Sequence, residues 1–144
     1  MSDASARTDA GPFRRVLVVE DQPDIRETLS VLLRLWGHQV QAVGDGLRAV
    51  QTALSWQPDA AVVDIGLPLL DGWEVARRVR AALDRDILLI ALTGYNGPED
   101  RQRSAEAGFD VHLGKPAAPE TLQYLLAKST AQAGPTDSCP AAAP

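Results

Sequence analysis

Residues 60–83, AAVVDIGLPLLDGWEVARRVRAAL, hold one strand followed by one helix. Ala60-Ala61-Val62-Val63 is a short apolar run, the pattern of a strand covered on both faces, and it ends at Asp64. Val75, Val79, Ala82 and Leu83 then recur at helical spacing. The same unit repeats on both sides of this stretch. Upstream, Val16-Leu17-Val18-Val19 is a buried strand. Ile25, Leu29, Leu32, Leu33 and Trp36 mark a helix that Gly37 stops. Gln39 to Val43 alternates polar and apolar residues, and Leu47, Val50 and Leu54 mark a second helix. Downstream, Ile87 to Leu92 is the most apolar run in the chain and reads as a central strand. Pro98 opens a fourth helix, Phe109 to Leu113 forms a fifth strand, and Pro119 opens a last helix carrying Leu122, Leu125 and Leu126.

Five strand–helix pairs in strict alternation predict an α/β fold, a doubly wound five-stranded parallel sheet of the flavodoxin-like (βα)5 kind. Strands one, three and four are continuously apolar and belong in the middle. Strands two and five carry polar residues and belong at the edges. The order 2-1-3-4-5 satisfies both conditions. It reverses between strands one and three, and ligands of such sheets bind beyond the carboxyl ends of the strands at that reversal.

The chain has 144 residues, enough for one domain with a real core, and 45% of them are hydrophobic. Residues 1–13 read as a flexible leader, 14–129 as the folded domain, and 130–144 as a disordered Pro/Ala-rich tail. The single cysteine, Cys139, lies in that tail, so no internal disulfide forms; this fits a reducing compartment. A formal net charge of -5 argues against direct nucleic-acid binding. No apolar run approaches the roughly 18 residues that span a bilayer, and the N-terminus has no apolar signal core. The expected location is cytoplasmic, with no membrane partner.

The chemistry sits at the strand ends. Strand one ends at Glu20-Asp21, strand three at Asp64 and strand four at Thr93, while Lys115-Pro116 follows strand five. Three carboxylates, a hydroxyl and an ammonium are therefore expected on one rim. Alone, an acid at a strand end is ordinarily solvated or caps a helix, as Asp21 would before Pro23. A lone Thr-Gly is a turn, and a lone Lys-Pro is surface. The combination on four strand ends carries the weight. Three clustered acids repel each other, and a hard divalent cation such as Mg²⁺ relieves that cost. With a metal and an ammonium to neutralise charge, such a rim is poised for phosphoryl transfer.

On the segments VLVVEDQPD, VVDIGLPLLDGWEVARRVR, ALTGY and AGFDVHLGKP, the stretch from about Arg14 to Lys128 resembles the receiver domain of bacterial two-component response regulators. The matching pieces cover about four fifths of the chain, in the family's order and spacing. The resemblance implies that Asp64 is the phosphoacceptor. It implies that Glu20 and Asp21 hold Mg²⁺, Asp21 directly, and that Gly66 offers its backbone carbonyl to the metal. Lys115 and Thr93 would contact the phosphoryl group, Thr93 and His112 would form the switch, and the peptide before Pro116 would be cis. Glu20 stands where Asp is commoner in the family, so its longer side chain suits a water-mediated contact. His112 stands where many members have Tyr or Phe, which opens the switch to pH; the other reading is a partly exposed edge-strand histidine.

The implied function is that of a signalling phosphoacceptor, not an enzyme in the ordinary sense. Its partners would be a sensor histidine kinase or a histidine phosphotransferase, and a downstream protein target. The kinase side would dock near helix one, where Val31 and Leu35 are candidate contacts. The output side would be helix four, strand five and helix five. Helix four, PEDRQRSAEAG, has no large apolar residue, and only Ala105 and Ala107 are expected to pack, so it should be loosely held. The resemblance also implies that Gly66 and Tyr95 stand where the lifetime of the phosphorylated state is tuned, and slow self-dephosphorylation is expected. The starting methionine favours a complete stand-alone receiver; the Pro/Ala tail keeps open a piece of a larger hybrid protein. Other classes fit less well. A flavodoxin-like nucleotide or flavin binder would want a Ser/Thr/Gly-rich loop after strand one, where Glu20-Asp21 stand. A haloacid-dehalogenase-type phosphatase would want an acid at position 66. A phosphorylation-silent interaction module would not need the full set of site residues.

Overall fold

The computed structural model describes residues 14–84, 86–94 and 97–128. The expected leader, the expected tail with Cys139, and Tyr95 lie outside the described residues. Arg14–Ala117 forms one compact unit. It contains β1 (Arg15–Val19), α1 (Pro23–Leu35), β2 (Gln39–Val43), α2 (Gly46–Trp56), β3 (Ala60–Asp64), α3 (Gly72–Ala82), β4 (Leu88–Thr93), α4 (Pro98–Ala107) and β5 (Val111–Gly114). The second unit contributes α5 (Pro119–Lys128), in which Leu122 and Leu126 are buried and Leu125 is half-buried. Among the described residues no helix is long and apolar enough to cross a membrane.

All strand pairs are parallel, and the order is β2-β1-β3-β4-β5, as the hydrophobic pattern predicts. β3 is buried throughout and β1 and β4 nearly so, whereas β2 and β5 contain no fully buried residue. The register fixes the rim. Val19 lies opposite both Val43 and Val63, Asp64 opposite Leu92, and Thr93 opposite Gly114. Residues one step past these pairs must therefore emerge together at the carboxyl edge.

Alternate residues serve opposite faces of the sheet. Leu17, Val19, Ala61, Val63, Leu89 and Ala91 join Ala49 and Ala53 of α2 and Val75, Ala76 and Val79 of α3 in one core. On that side α2 contacts α3 and α3 contacts α4, while α1 contacts β1 and β2. The partner residues Val16, Val18, Val62 and Ile90 are equally buried. α1 ends as Gly37 predicts. That glycine has φ 99°, and its N–H and that of His38 reach back to the Arg34 and Leu33 carbonyls, closing a Schellman turn.

Several inward faces differ from expectation. In α2 the buried residues are Ala49 and Ala53, while Leu47 and Leu54 are exposed. At the start of this helix a Cβ on Gly46 would overlap the Leu70 carbonyl oxygen, so no larger residue fits at that position. In α3, Ala82 is exposed, because the helix stops there and Leu83 turns extended. In α4 the packed residues are Ser104 and Ala107, and Ala105 faces out. β5 begins at Val111, not at Phe109. Gly108 ends α4 at φ 114°, and the Asp110 carboxylate takes the Leu89 N–H (2.9 Å) while the Asp110 N–H donates to the Leu89 carbonyl (2.8 Å).

Arg80 of α3 fastens this corner. Its Nε donates to the Gly108 carbonyl (2.9 Å), its Nη1 to the Ile87 carbonyl (2.9 Å) and its Nη2 to Asp110 Oδ2 (2.8 Å). On the other edge the buried His38 ring accepts the Arg14 backbone N–H at Nδ1 (3.1 Å). Burial, and then the Arg14 charge, push the His38 imidazole below its ordinary pKa.

Candidate functional site: an acidic pocket at the strand ends

The first contributor follows β1. The Glu20 N–H donates to the Val43 carbonyl (3.1 Å), so pairing with β2 carries one residue past the strand and turns this side chain inward. Glu20 is 1% exposed, unusual for a carboxylate, and both its oxygens are held. Oε2 accepts the Gln22 N–H (3.2 Å) and Oε1 accepts from Lys115 Nζ (3.0 Å). Asp21, one residue on, is exposed.

The second contributor is Asp64, the last residue of β3 and itself buried. Its Oδ1 accepts the Gly66 N–H (3.2 Å), and its Oδ2 lies 3.4 Å from Lys115 Nζ. The loop beyond it is tight. The Leu67 and Gly72 N–H groups both donate to the Ile65 carbonyl (2.9 Å each), and Leu70 donates to Pro68 (2.7 Å). A Cβ on Gly72 would sit 2.6 Å from the Asp64 carbonyl oxygen, so only glycine lets α3 start this close to the strand end. Within the loop, Leu69 is 73% exposed and held at φ 70°, a left-handed conformation that a leucine adopts only under constraint.

Ligand oxygens of Glu20, Asp21 and Asp64 all lie within 4.8 Å of one another. The expected convergence of the three acids is therefore present. Lys115 joins them from the residue just past β5, and its peptide to Pro116 is cis. Thr93, the last residue of β4, is buried one step beyond the Asp64–Leu92 pair, and its carbonyl accepts the Lys115 N–H (2.9 Å).

Charge explains the arrangement. Burial pushes the Glu20 carboxyl above its usual range, and the neighbouring Asp64 adds to the push; the Lys115 and Gln22 hydrogen bonds oppose it. Burial alone would lower the Lys115 ammonium, but the Glu20 hydrogen bond and the Asp64 and Glu20 charges outweigh it and raise the net value. Three carboxylates against one ammonium leave two negative charges with only oxygen donors, a set that fits a hard divalent cation such as Mg²⁺.

His112 stands apart from this cluster. Its Nδ1 lies 2.8 Å from Ser104 Oγ on α4, and its carbonyl accepts from Arg101 Nη1 (3.4 Å). Ser104 Oγ also accepts the Trp73 indole N–H (3.0 Å). The sequence reading picked out neither Ser104 nor Trp73. The one available signal was the indole N–H, which needs an acceptor wherever a tryptophan is buried.

Comparison with known proteins agrees with the fold. The family model described as the response regulator receiver domain matches residues 16–127. Response regulator MprA of Mycobacterium sp. (strain KMS) is 36% identical over 125 residues, covering 84% of this chain and 54% of that protein. MprA of Mycobacterium ulcerans (strain Agy99) is 38% identical over 117 residues, covering 81% and 49%. The chain thus spans about half the length of the curated relatives it matches. Among solved structures, the receiver domain of sensor histidine kinase PA1611 from Pseudomonas aeruginosa PAO1 is 36% identical, with TM-score 0.73 over 79% of this chain and 94% of that one. That crystal structure has a magnesium ion coordinated in the active site cleft. Chemotaxis protein CheY4 of Vibrio cholerae is 30% identical, with TM-score 0.74 over 79% and 96%. By fold, by acidic pocket and by family match over most of its length, this chain belongs to the response regulator receiver domains of two-component signalling.

Proposed function

We propose that the chain accepts a phosphoryl group from a partner's phosphohistidine onto Asp64 and answers by changing its α4–β5 surface. The observation that carries this reading is the meeting of Asp64 with Glu20, Asp21 and Lys115 at the reversal point of the sheet. An Asp64 carboxylate oxygen forms the new bond to phosphorus, the P–N bond to the imidazole breaks, and the departing imidazole takes up a proton. Lys115, already 3.4 Å from Asp64 Oδ2, is placed to neutralise the incoming oxygens. Mg²⁺, when bound, supplies the remaining positive charge. Both Glu20 oxygens are engaged, which supports an indirect, water-mediated role for Glu20; Asp21, Asp64 and the backbone carbonyl of Gly66 would hold the ion directly. In this reading Thr93 and His112 form the switch.

The domain that does this is 14–129. The donor is a sensor histidine kinase or histidine phosphotransferase that docks over α1, where Val31 is 44% and Leu35 76% exposed. The receiver works in the cytoplasm and passes its state to a protein target rather than to nucleic acid. Gly66 offers no side chain to orient an attacking water, which supports slow self-dephosphorylation. The test is incubation with Mg²⁺ and acetyl phosphate followed by intact mass measurement. One phosphoryl adduct is expected, lost in Asp64→Asn and in EDTA. An adduct that persists in Asp64→Asn would remove Asp64 from the role.

A further inference from the structure

The sequence gives α4 almost nothing apolar, and in the structure only Ser104 and Ala107 of that helix are buried. Ser104 is 1% exposed, so its hydroxyl needs partners inside the protein. It has two, from two other elements. The Trp73 indole donates to Ser104 Oγ at 3.0 Å, and His112 Nδ1 lies 2.8 Å from the same oxygen. Arg103, one residue before, lies over the Trp73 ring at 3.7 Å and covers it from the same helix. The hydroxyl has one proton and two lone pairs, so it accepts from the indole and still donates to a neutral His112; with the other tautomer it accepts from both.

The two partners lead back to two different contributors to the acidic pocket. Trp73 directly follows Gly72, whose N–H bonds Ile65 and whose Cα is packed against the Asp64 carbonyl. His112 lies on β5, three residues before the Lys115 that bridges Glu20 and Asp64. We propose that Ser104 is a positioning residue: its hydroxyl ties the segment that leaves Asp64 to the strand that delivers Lys115, so that α4 moves with His112 when the pocket is loaded. The proposal rests on the reading of Asp64 as phosphoacceptor. It goes further by naming a hydroxyl on α4 that meets both Trp73 and His112. With so little apolar contact, α4 depends on this junction for its attachment more than α2 or α3 do.

The indole N–H resonance of Trp73 reports the junction directly. The chain has three tryptophans, and Trp73→Phe assigns the peak. The experiment records that resonance before and after acetyl phosphate with Mg²⁺, with intact mass measured on the same samples. In the native chain the peak shifts on modification. In Ser104→Ala the peak is displaced before modification, no longer responds to it, and α4 amides exchange at least about tenfold faster while those of α3 do not change. Ser104→Thr, which keeps the hydroxyl, restores the response. His112→Phe, which keeps an aromatic ring but removes the nitrogen that meets Ser104, leaves the indole bond in place but removes its response. An adduct by mass with a Trp73 peak that responds equally in Ser104→Ala overturns the coupling while leaving the Asp64 reading intact. Absence of any adduct by mass overturns both, because nothing then loads the pocket.

Discussion

Removing the Lys115 ammonium is the sharpest perturbation of the acidic pocket. Lys115→Met keeps most of the stem and deletes the charge. The Glu20 side chain is 1% exposed, that of Asp64 10% and that of Lys115 25%. Breaking a fully buried pair by deleting one partner costs about 3–5 kcal/mol, because the other charge stays buried alone. Water reaches Lys115, and protonation of Glu20 caps the cost, so the expected loss is about 2 kcal/mol. With the ammonium gone, Lys115 no longer competes with the ion for the Glu20 and Asp64 oxygens, so the variant should bind Mg²⁺ more tightly than the native chain. An ion present at about a hundredfold above its Kd adds about 2.7 kcal/mol of stability, and more of that accrues to the tighter binder. Urea unfolding in EDTA and in saturating Mg²⁺ reads both effects. The gap between native and variant should be about 2 kcal/mol in EDTA and should shrink with the metal. A loss below about 0.5 kcal/mol in EDTA would mean that Lys115 does not neutralise buried charge here. A gap that ignores Mg²⁺ would mean that the ion does not sit among these carboxylates.

Three further outcomes follow from the scaffold. Arg80→Met deletes three hydrogen bonds worth about 1 kcal/mol net each, so unfolding free energy should fall by about 2–3 kcal/mol; a loss under about 1 would show that solvent replaces them freely. Gly46→Ala drives a methyl into the Leu70 carbonyl and should cost at least about 2 kcal/mol, against a change within about 0.5 for Gly94→Ala, where a Cβ meets open space. His38 has its folded pKa depressed, so its contribution is complete above the unfolded value near 6.5 and is lost as pH falls from there towards the lower folded value. Stability measured across that window should fall with pH in the native chain and stay flatter in His38→Gln; equal slopes would exclude this histidine.

The sheet was legible because it depends on patterns that survive without coordinates. Val16–Val19, Ala60–Val63 and Ile87–Leu92 are apolar on both sides because helices cover both faces, so their place in the middle follows from composition alone. The site was legible for a related reason. Parallel strands in register bring their carboxyl ends to one rim, so Glu20, Asp21, Asp64 and Lys115 had to meet. Helix faces were less legible. Hydropathy ranks Leu47 and Leu54 above Ala49 and Ala53, yet the alanines are the buried residues and the leucines face out. Ser104 left no trace in the apolar pattern, since its burial depends on an indole 31 residues away and a histidine 8 residues away. The Arg80 clamp and the engagement of both Glu20 oxygens likewise need side-chain geometry that spacing does not encode.

The central claim is that Asp64, among three clustered carboxylates, is the one that takes the phosphoryl group. Borohydride reduction of the acetyl-phosphate-treated protein converts an aspartyl phosphate to homoserine and marks its position permanently. Peptide mapping should place that mark at residue 64, dependent on Mg²⁺. A mark at position 20 or 21, or none in protein that retains its fold and binds Mg²⁺, would contradict the account.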